Sequence, residues 1–200
     1  MHEQTKYLKS CLVIASGNVG KIYEFRRLLA DFPLTIHGQP EGLHVEETGN
    51  TFLENARLKA LAVANATGKC SLADDSGLSV DHLAGAPGVH SARYASTDEG
   101  RISRLLREME TCKNRSAHFS SAICIASPNN EILLEVEGRC EGLITNKPRG
   151  SKGFGYDPIF EVLDTGLTFA EMGIEKKQLL SHRGRAFALL KPGLTNLLQL

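Results

Sequence analysis

The chain has no excess of either charge: 23 Lys and Arg balance 23 Asp and Glu in 200 residues. A balanced chain gives no global attraction to nucleic acid or to an anionic membrane, so any anion site must be a local cluster of positive charge. Cysteine pairs at metal spacing are also missing. Cys11, Cys70, Cys112, Cys124 and Cys140 contain no C-x-x-C and no zinc-type spacing. Four of the five sit in apolar or strand-like surroundings, which predicts buried, reduced thiols in a cytoplasmic protein. No apolar run approaches membrane-spanning length. The first ten residues, MHEQTKYLKS, are polar, and CLVIAS is too short for the apolar part of a signal peptide. Repeats, low-complexity tracts and linkers are absent, so one domain over residues 1–200 is expected. At that size a core can form without disulfides, and 42% hydrophobic with 23% charged residues is a globular composition.

The pattern along the chain alternates strands with helices. CLVIAS (11–16) reads as a buried strand. Val19, Ile22, Phe25, Leu28 and Leu29 then recur at helical spacing, and Pro33 ends that helix. A short strand is expected near 34–36. Over 48–67 the helix signal is strong: Thr51 and Glu54 match a capping box, Phe52, Ala56, Ala60 and Val63 form a stripe, and Gly68 closes it. CSLADDSG (70–77) reads as a strand running into a turn at the acidic pair. Residues 81–96 read as loop, and 102–109 as an amphipathic helix. Two long strands, 116–126 and 131–140, flank a hairpin at Pro128-Asn129-Asn130. An irregular loop spans 147–156, and helices follow near 168–180 and 182–190. The order predicts an α/β fold with a mixed β-sheet flanked by helices.

Two familiar phosphate loops are missing as well. IASGNVGKIYEF (14–25) has the strand, glycine turn and helix that present backbone N–H groups to an anion. It is not G-x-x-x-x-G-K-[ST], because Gly17 and Gly20 are too close and Ile22 follows Lys21. It is not G-x-G-x-x-G, because position 15 is Ala. What remains is a turn in which Ser16 and Asn18 can donate to phosphate and Lys21 can reach it as a point charge. The same residues suit a plain strand-to-helix turn with Asn18 as N-cap.

Two acidic pairs stand out. Glu46-Glu47 precedes the capped helix, and Asp74-Asp75 ends an apolar strand before Ser76-Gly77. Carboxylates are hard oxygen ligands that suit Mg²⁺, which takes one or two of them plus substrate phosphates. Adjacent carboxylates would also raise one another's pKa, which helps a general base. The blander alternatives are a solvated turn complementing the helix dipole and an Asx-capped turn. Asn55 and Lys59, four apart, share one helix face; Lys59 points either into a cleft or along the surface.

A third cluster lies further on. In GSKGFGYDPIF (150–160), Gly153 and Gly155 bracket Phe154, so its ring either projects as a stacking platform for a base or joins Tyr156 in the core. Asp157 can accept from ring N–H groups. In SHRG (181–184), Ser181 reads as an N-cap with His182 and Arg183 in the first turn. Cations there oppose the helix dipole, and a bound anion or polar ligand edge supplies a reason for them.

Taken together, ASGNVGK, EETGNTFLENARLKA, LADDSGLSVDHLAGAPGVHSARYA, KGFGYDPIF and SHRGRA, in that order, resemble the inosine triphosphate pyrophosphatase family. The match runs from about residue 12 to 190; residues 1–10 lie outside it, and 97–115 follow no motif. Ser16 stands where many members have Thr, which keeps the hydroxyl. The resemblance implies an elongated α/β fold with two lobes and a central substrate cleft, usually a homodimer. It implies Mg²⁺-dependent hydrolysis of ITP, dITP and XTP to the monophosphate and pyrophosphate. By motif position, Ser16, Gly17, Asn18, Val19, Gly20 and Lys21, with Lys59, would hold the triphosphate. Glu46 or Glu47, with Asp75, would hold the metal; Asp75 would also be the general base, and Ser76 would touch substrate. Phe154, Gly155, Tyr156, Asp157, Lys177, His182 and Arg183 would form the base pocket. Neither nucleic acid nor membrane is expected as a partner.

Overall fold

A computed structural model describes residues 11–200; the polar segment MHEQTKYLKS lies outside the described residues. The elements run β1 (Cys11–Ile14), α1 (Val19–Leu28), β2 (Thr35–Gly38), α2 (Phe52–Thr67), β3 (Ser71–Val80), α3 (Asp98–Glu108), β4 (Ser116–Ala126), β5 (Ile132–Ile144), β6 (Phe160–Val162), α4 (Ile174–Leu180) and α5 (His182–Leu198). The six strands form one sheet in the order β2-β1-β3-β4-β5-β6. β1 runs parallel to both β2 and β3, and β6 runs antiparallel to β5. The mixed α/β architecture expected from the sequence is the one observed.

Local chemistry sets the element ends. Asn18 caps α1 by accepting from the Lys21 N–H. Thr51 and Glu54 form the reciprocal capping box of α2, and Gly68 ends it in the left-handed conformation. The β4–β5 turn closes where the Ser127 N–H donates to the Glu131 carbonyl at 2.9 Å.

Five readings need correction. The helix expected near 168–180 begins only at Ile174, after a 3₁₀ turn at Phe169–Glu171. β3 does not turn at the acidic pair but continues through it to Val80. Both carboxylates are paired inside the protein, so the strand has no need to leave it there. Residues 81–96 are not plain loop; they hold 3₁₀ turns at Asp81–Leu83 and Gly88–Arg93. The three-residue β6 went unseen because it is too short for a period. α5 runs past 190 and carries Pro192 within it. Proline removes one helical hydrogen bond, but Phe187, Leu190 and Leu194 are buried along the helix and hold it through that position.

The chain divides into two compact units. One comprises the described residues up to Asp75, with Ser121–Gly138 and Ala186–Leu200. Its strands alternate between two apolar layers, as the two-residue period of a strand requires. Leu12, Ile14, Leu72, Ile123 and Ile125 pack with Phe25 and Leu29 of α1 and with Phe187 and Leu190 of α5. Val13, Ala15, Ala73, Ala122 and Cys124 pack with Ala56, Ala60, Val63 and Ala64 of α2. The small side chains on both sides let α2 lie close to its strands.

The other unit comprises Ser76–Ser120 and Arg139–Arg185. Its core gathers Leu78, Val80, Leu105, Met109, Tyr156, Ile159 and an aromatic group, Phe119, Phe160 and Phe169. Phe119 meets Phe160 edge-on at 4.8 Å, and Phe160 lies 5.2 Å from Phe169. Arg115, beside this core, donates to the carbonyls of Ile144, Thr145 and Met109, tying the start of β4 to the end of β5.

All five cysteines are free thiols, with Cys70, Cys124 and Cys140 buried and Cys11 and Cys112 half-buried. Burial pushes the Cys70 and Cys140 thiols up to about 11 and Cys124 up to about 12. A raised folded-state value means that the native protein keeps these protons after the unfolded chain has lost them. Their contribution is therefore fully present below the unfolded value near 9 and is lost as pH rises toward the folded values. Urea unfolding should show stability falling between pH 9 and 11 by roughly 1.4 kcal/mol per pH unit for each thiol. Replacing the three by alanine or valine should flatten that slope, and an unchanged slope would assign it to other groups.

Candidate active site

The first unit concentrates charge around one lysine. Lys59 sits on α2 one residue before the buried Ala60, and its side chain is only 13% exposed. Its ammonium donates to Asp75 Oδ1 at 2.7 Å, Glu47 Oε1 at 2.8 Å and the Asp74 carbonyl at 3.0 Å. It is neither a surface lysine nor a lone charge. Burial alone would lower its pKa, but the carboxylates of Asp75 and Glu47 more than reverse that and hold it above its ordinary value.

Asp75 is buried, and burial pushes its carboxyl above the usual carboxylate range, against the pull of Lys59 and Lys21. Asn55, one turn before Lys59, donates from Nδ2 to Asp75 Oδ2 at 3.2 Å. The carboxylate of Glu47 adds to the rise. Adjacent residues of a strand point to opposite faces, so Asp75 meets α2 while Asp74 meets α1.

Asp74 is buried and ion-pairs through Oδ2 with Lys21 Nζ at 2.9 Å; its Oδ1 accepts a short hydrogen bond from Ser121 of β4. Lys21 thus stands at the first turn of α1 with its ammonium fixed from below. The rest of its turn is open: Gly17, Asn18 and Val19 are exposed, and Ser16 Oγ accepts from the Asn18 N–H at 3.1 Å. Helix N-terminal amides beside a fixed lysine suit an anion.

Of the first acidic pair, Glu47 reaches Lys59, whereas Glu46 is exposed. Glu47 and Asp75 therefore bring two carboxylates to a single cationic point. Among the described residues no group of three or more His, Cys, Asp and Glu forms a complete metal cage. Two hard oxygens without a cage fit Mg²⁺, which fills its remaining positions with water and substrate phosphates.

The second unit holds a separate cluster. Asp157 is buried and its Oδ2 accepts from Lys177 Nζ at 2.6 Å and from the Phe154 N–H at 2.9 Å. Gly153 at φ +78° leaves the space that Asp157 Oδ2 fills; any side chain there would collide with it. The Lys177 ammonium also lies 5.0 Å from the centre of the half-buried Phe154 ring. Phe154 and Tyr156 have different fates. Tyr156 is in the core, with its hydroxyl donating to the Ser91 carbonyl at 3.0 Å, so only the backbone there is left for a ligand. The Gly155 N–H donates to Asp98 Oδ2 at 2.8 Å.

Ser181 caps α5, accepting the Gly184 N–H at 3.1 Å. His182 is buried and stacks on Phe119 at 4.6 Å with planes 12° apart. Arg183 is buried and donates from Nη2 to Ser76 Oγ at 2.9 Å. Gly184 lets this turn approach α4, because an added Cβ would fall inside the Gln178 carbonyl.

Sequence reasoning passed over Asp74 as a partner for Lys21, and over Ser121 and Asp98. Ser121 left one faint signal, a hydroxyl in the otherwise apolar alternate row of Ala117, Phe119, Ile123 and Ile125. Asp98 left none, since an acidic residue in the first turn of a helix ordinarily complements the dipole.

The fold and these clusters define an α/β protein with a lysine-bridged carboxylate pair beside a strand-turn-helix that carries Lys21. A family model described as the Ham1 family matches residues 12–193, and the chain belongs to that family. It is 69% identical over 187 residues to the dITP/XTP pyrophosphatase of Prochlorococcus marinus strain MIT 9313, covering 94% of this chain and 92% of that one. It is 62% identical to the dITP/XTP pyrophosphatase of Synechococcus sp. strain CC9311, covering 94% and 91%. Among solved structures, a HAM1 protein from Coxiella burnetii superposes with a TM-score of 0.85 at 42% identity, covering 94% and 99%. The Staphylococcus aureus Ham1 protein gives 0.83 at 40% identity with the same coverage.

Replacing Gly184 by alanine should lower unfolding stability by about 1–3 kcal/mol, because the turn and the α4 carbonyl must separate. Chemical denaturation measures it; a change below about 0.5 kcal/mol would show that the close approach is dispensable.

Proposed function

We propose that this chain hydrolyses deaminated purine nucleoside triphosphates (ITP, dITP and XTP) to the monophosphate and pyrophosphate, with Mg²⁺. The observation that carries the reading is the junction of Glu47, Lys59 and Asp75 in a Ham1 chain so similar to dITP/XTP pyrophosphatases.

Each group has a role that its surroundings suit. Lys21, fixed by Asp74, and the open turn from Ser16 to Gly20 receive phosphate oxygens. Lys59 meets another part of the triphosphate chain. Asp75 takes a proton from water as a bond forms between that water oxygen and the α-phosphorus. The bond from the α-phosphorus to its bridging oxygen breaks, and pyrophosphate leaves. Burial, which raises the Asp75 carboxyl, makes it a better base. Mg²⁺, held by Glu47 and Asp75, would neutralise charge on the phosphates.

Base recognition falls to Phe154, Asp157, Lys177, His182 and Arg183. A donor such as Arg183 or His182 meets the 6-oxo group of hypoxanthine, where adenine carries an amino group and leaves the donor unmatched. Sites built around a hydrogen bond can reject the analogue lacking it by about 10⁴-fold. A homodimer in the cytoplasm is proposed from the family resemblance; among the described residues no helix is long and apolar enough to cross a membrane.

Product analysis with ITP, dITP, XTP, ATP and GTP, with and without Mg²⁺, tests the reading. Pyrophosphate and monophosphate from the first three alone support it. Orthophosphate, or equal turnover of ATP and GTP, would overturn the reaction or the specificity. Asp75→Asn should lower kcat by about 10²–10⁴-fold while substrate still binds. Arg183→Ala should raise KM for ITP and narrow the ITP/ATP preference.

A further inference from the structure

Asn55 is the one fully buried polar residue on α2, and the mechanism above gives it no task. Its two amide atoms point to different places. Nδ2 donates to Asp75 Oδ2 at 3.2 Å, and Oδ1 accepts the Gly49 N–H at 2.8 Å. Gly49 lies two residues after Glu47. The segment it belongs to is pressed onto the first turn of α2: a Cβ on Gly49 would sit 2.6 Å from Glu54 Cβ and 2.8 Å from Asn55 Oδ1. The Glu54 carboxylate grips the same segment from outside, accepting the Asn50 and Thr51 N–H groups at 2.6 and 3.2 Å.

We propose that Asn55 is a positioning residue that sets Glu47 and Asp75 at one spacing and so fixes the divalent-cation affinity. One primary amide, with one donor and one acceptor in use, joins the strand that carries Asp75 to the segment that carries Glu47. Lys59 also bridges the two carboxylates, but through a flexible stem and a freely rotating ammonium. The amide is rigid and planar, and its helix is capped at that end. Aspartate in its place would keep the Gly49 bond and lose the donor to Asp75; leucine would lose both. Partners that orient metal ligands typically control 10- to 100-fold in metal affinity or activity.

The inference rests on the proposed roles of Glu47 and Asp75, and the experiment separates the two. Mn²⁺ alone serves as the probe, titrated into the protein and followed by electron paramagnetic resonance, next to steady-state ITP hydrolysis and thermal unfolding. Asn55→Ala should weaken Mn²⁺ binding about tenfold or more and lower kcat by a similar factor, with KM for ITP changed less than about threefold. Gly49→Ala should weaken Mn²⁺ binding in the same direction with Asn55 untouched, and it carries the test if Asn55→Ala does not fold. A merely structural Asn55 would lower the melting temperature and the folded fraction but leave Mn²⁺ affinity per folded molecule at the wild-type value; that result overturns the proposal. Wild-type protein that neither binds Mn²⁺ nor releases pyrophosphate would instead overturn the assignment of Glu47 and Asp75.

Discussion

A single ammonium, that of Lys59, is held out of water by α2 and surrounded by oxygen. Removing a charge from water is expensive, and the expense is offset only when partners converge closely. Here the partners are two carboxylates and a main-chain carbonyl, all within 3.0 Å. Without Lys59, two acidic groups would share a poorly solvated space and repel. Without either acid, a buried cation would be left over. The alanines of α2 at positions 56, 60 and 64, set against Ala15, Ala73 and Ala122, let the helix come near enough for this arrangement. The same close packing desolvates Asp75, and that desolvation lifts its pKa toward the range useful for a base.

Strand geometry then divides the work between two adjacent residues. Because side chains alternate along β3, Asp75 faces α2 and its lysine, while Asp74 faces α1 and Lys21. Two lysines are thereby placed by two neighbouring carboxylates without competing for one. Ser121, on the next strand, occupies the other oxygen of Asp74, which leaves Oδ2 to hold Lys21 at the first turn of α1. In the second unit, Asp157 plays an analogous part, holding Lys177 and the Phe154 backbone through one oxygen. Its aromatic core supplies the rigid surface on which His182 stacks.

Much of this was legible in the sequence, for identifiable reasons. Helix caps were visible because capping needs particular side chains at fixed offsets, as at Asn18, Thr51 with Glu54, and Ser181. The strand-turn-helix around Lys21 was visible for the same reason. The five motifs pointed to the family, and Ham1 membership agrees with them. What stayed hidden depended on contacts far apart in the chain. The turn expected at Asp74-Asp75 was a local inference that ignored the partners 53 and 47 residues away, Lys21 and Ser121. Glu46 and Glu47 are chemically alike, and only the packing of α2 decides which one reaches Lys59. Phe154 and Tyr156 looked equivalent until Ser91, remote in sequence, claimed the tyrosine hydroxyl.

In the proposed reaction water attacks the α-phosphorus with Asp75 as base, and labelled water reports the site of attack directly. The protein would be given dITP and Mg²⁺ in water enriched in ¹⁸O, and both products analysed by mass spectrometry after a single turnover. The account predicts one ¹⁸O in the monophosphate and none in pyrophosphate. Label in pyrophosphate would place the attack on the β-phosphorus and contradict the assignment of the α-phosphorus as the reacting centre.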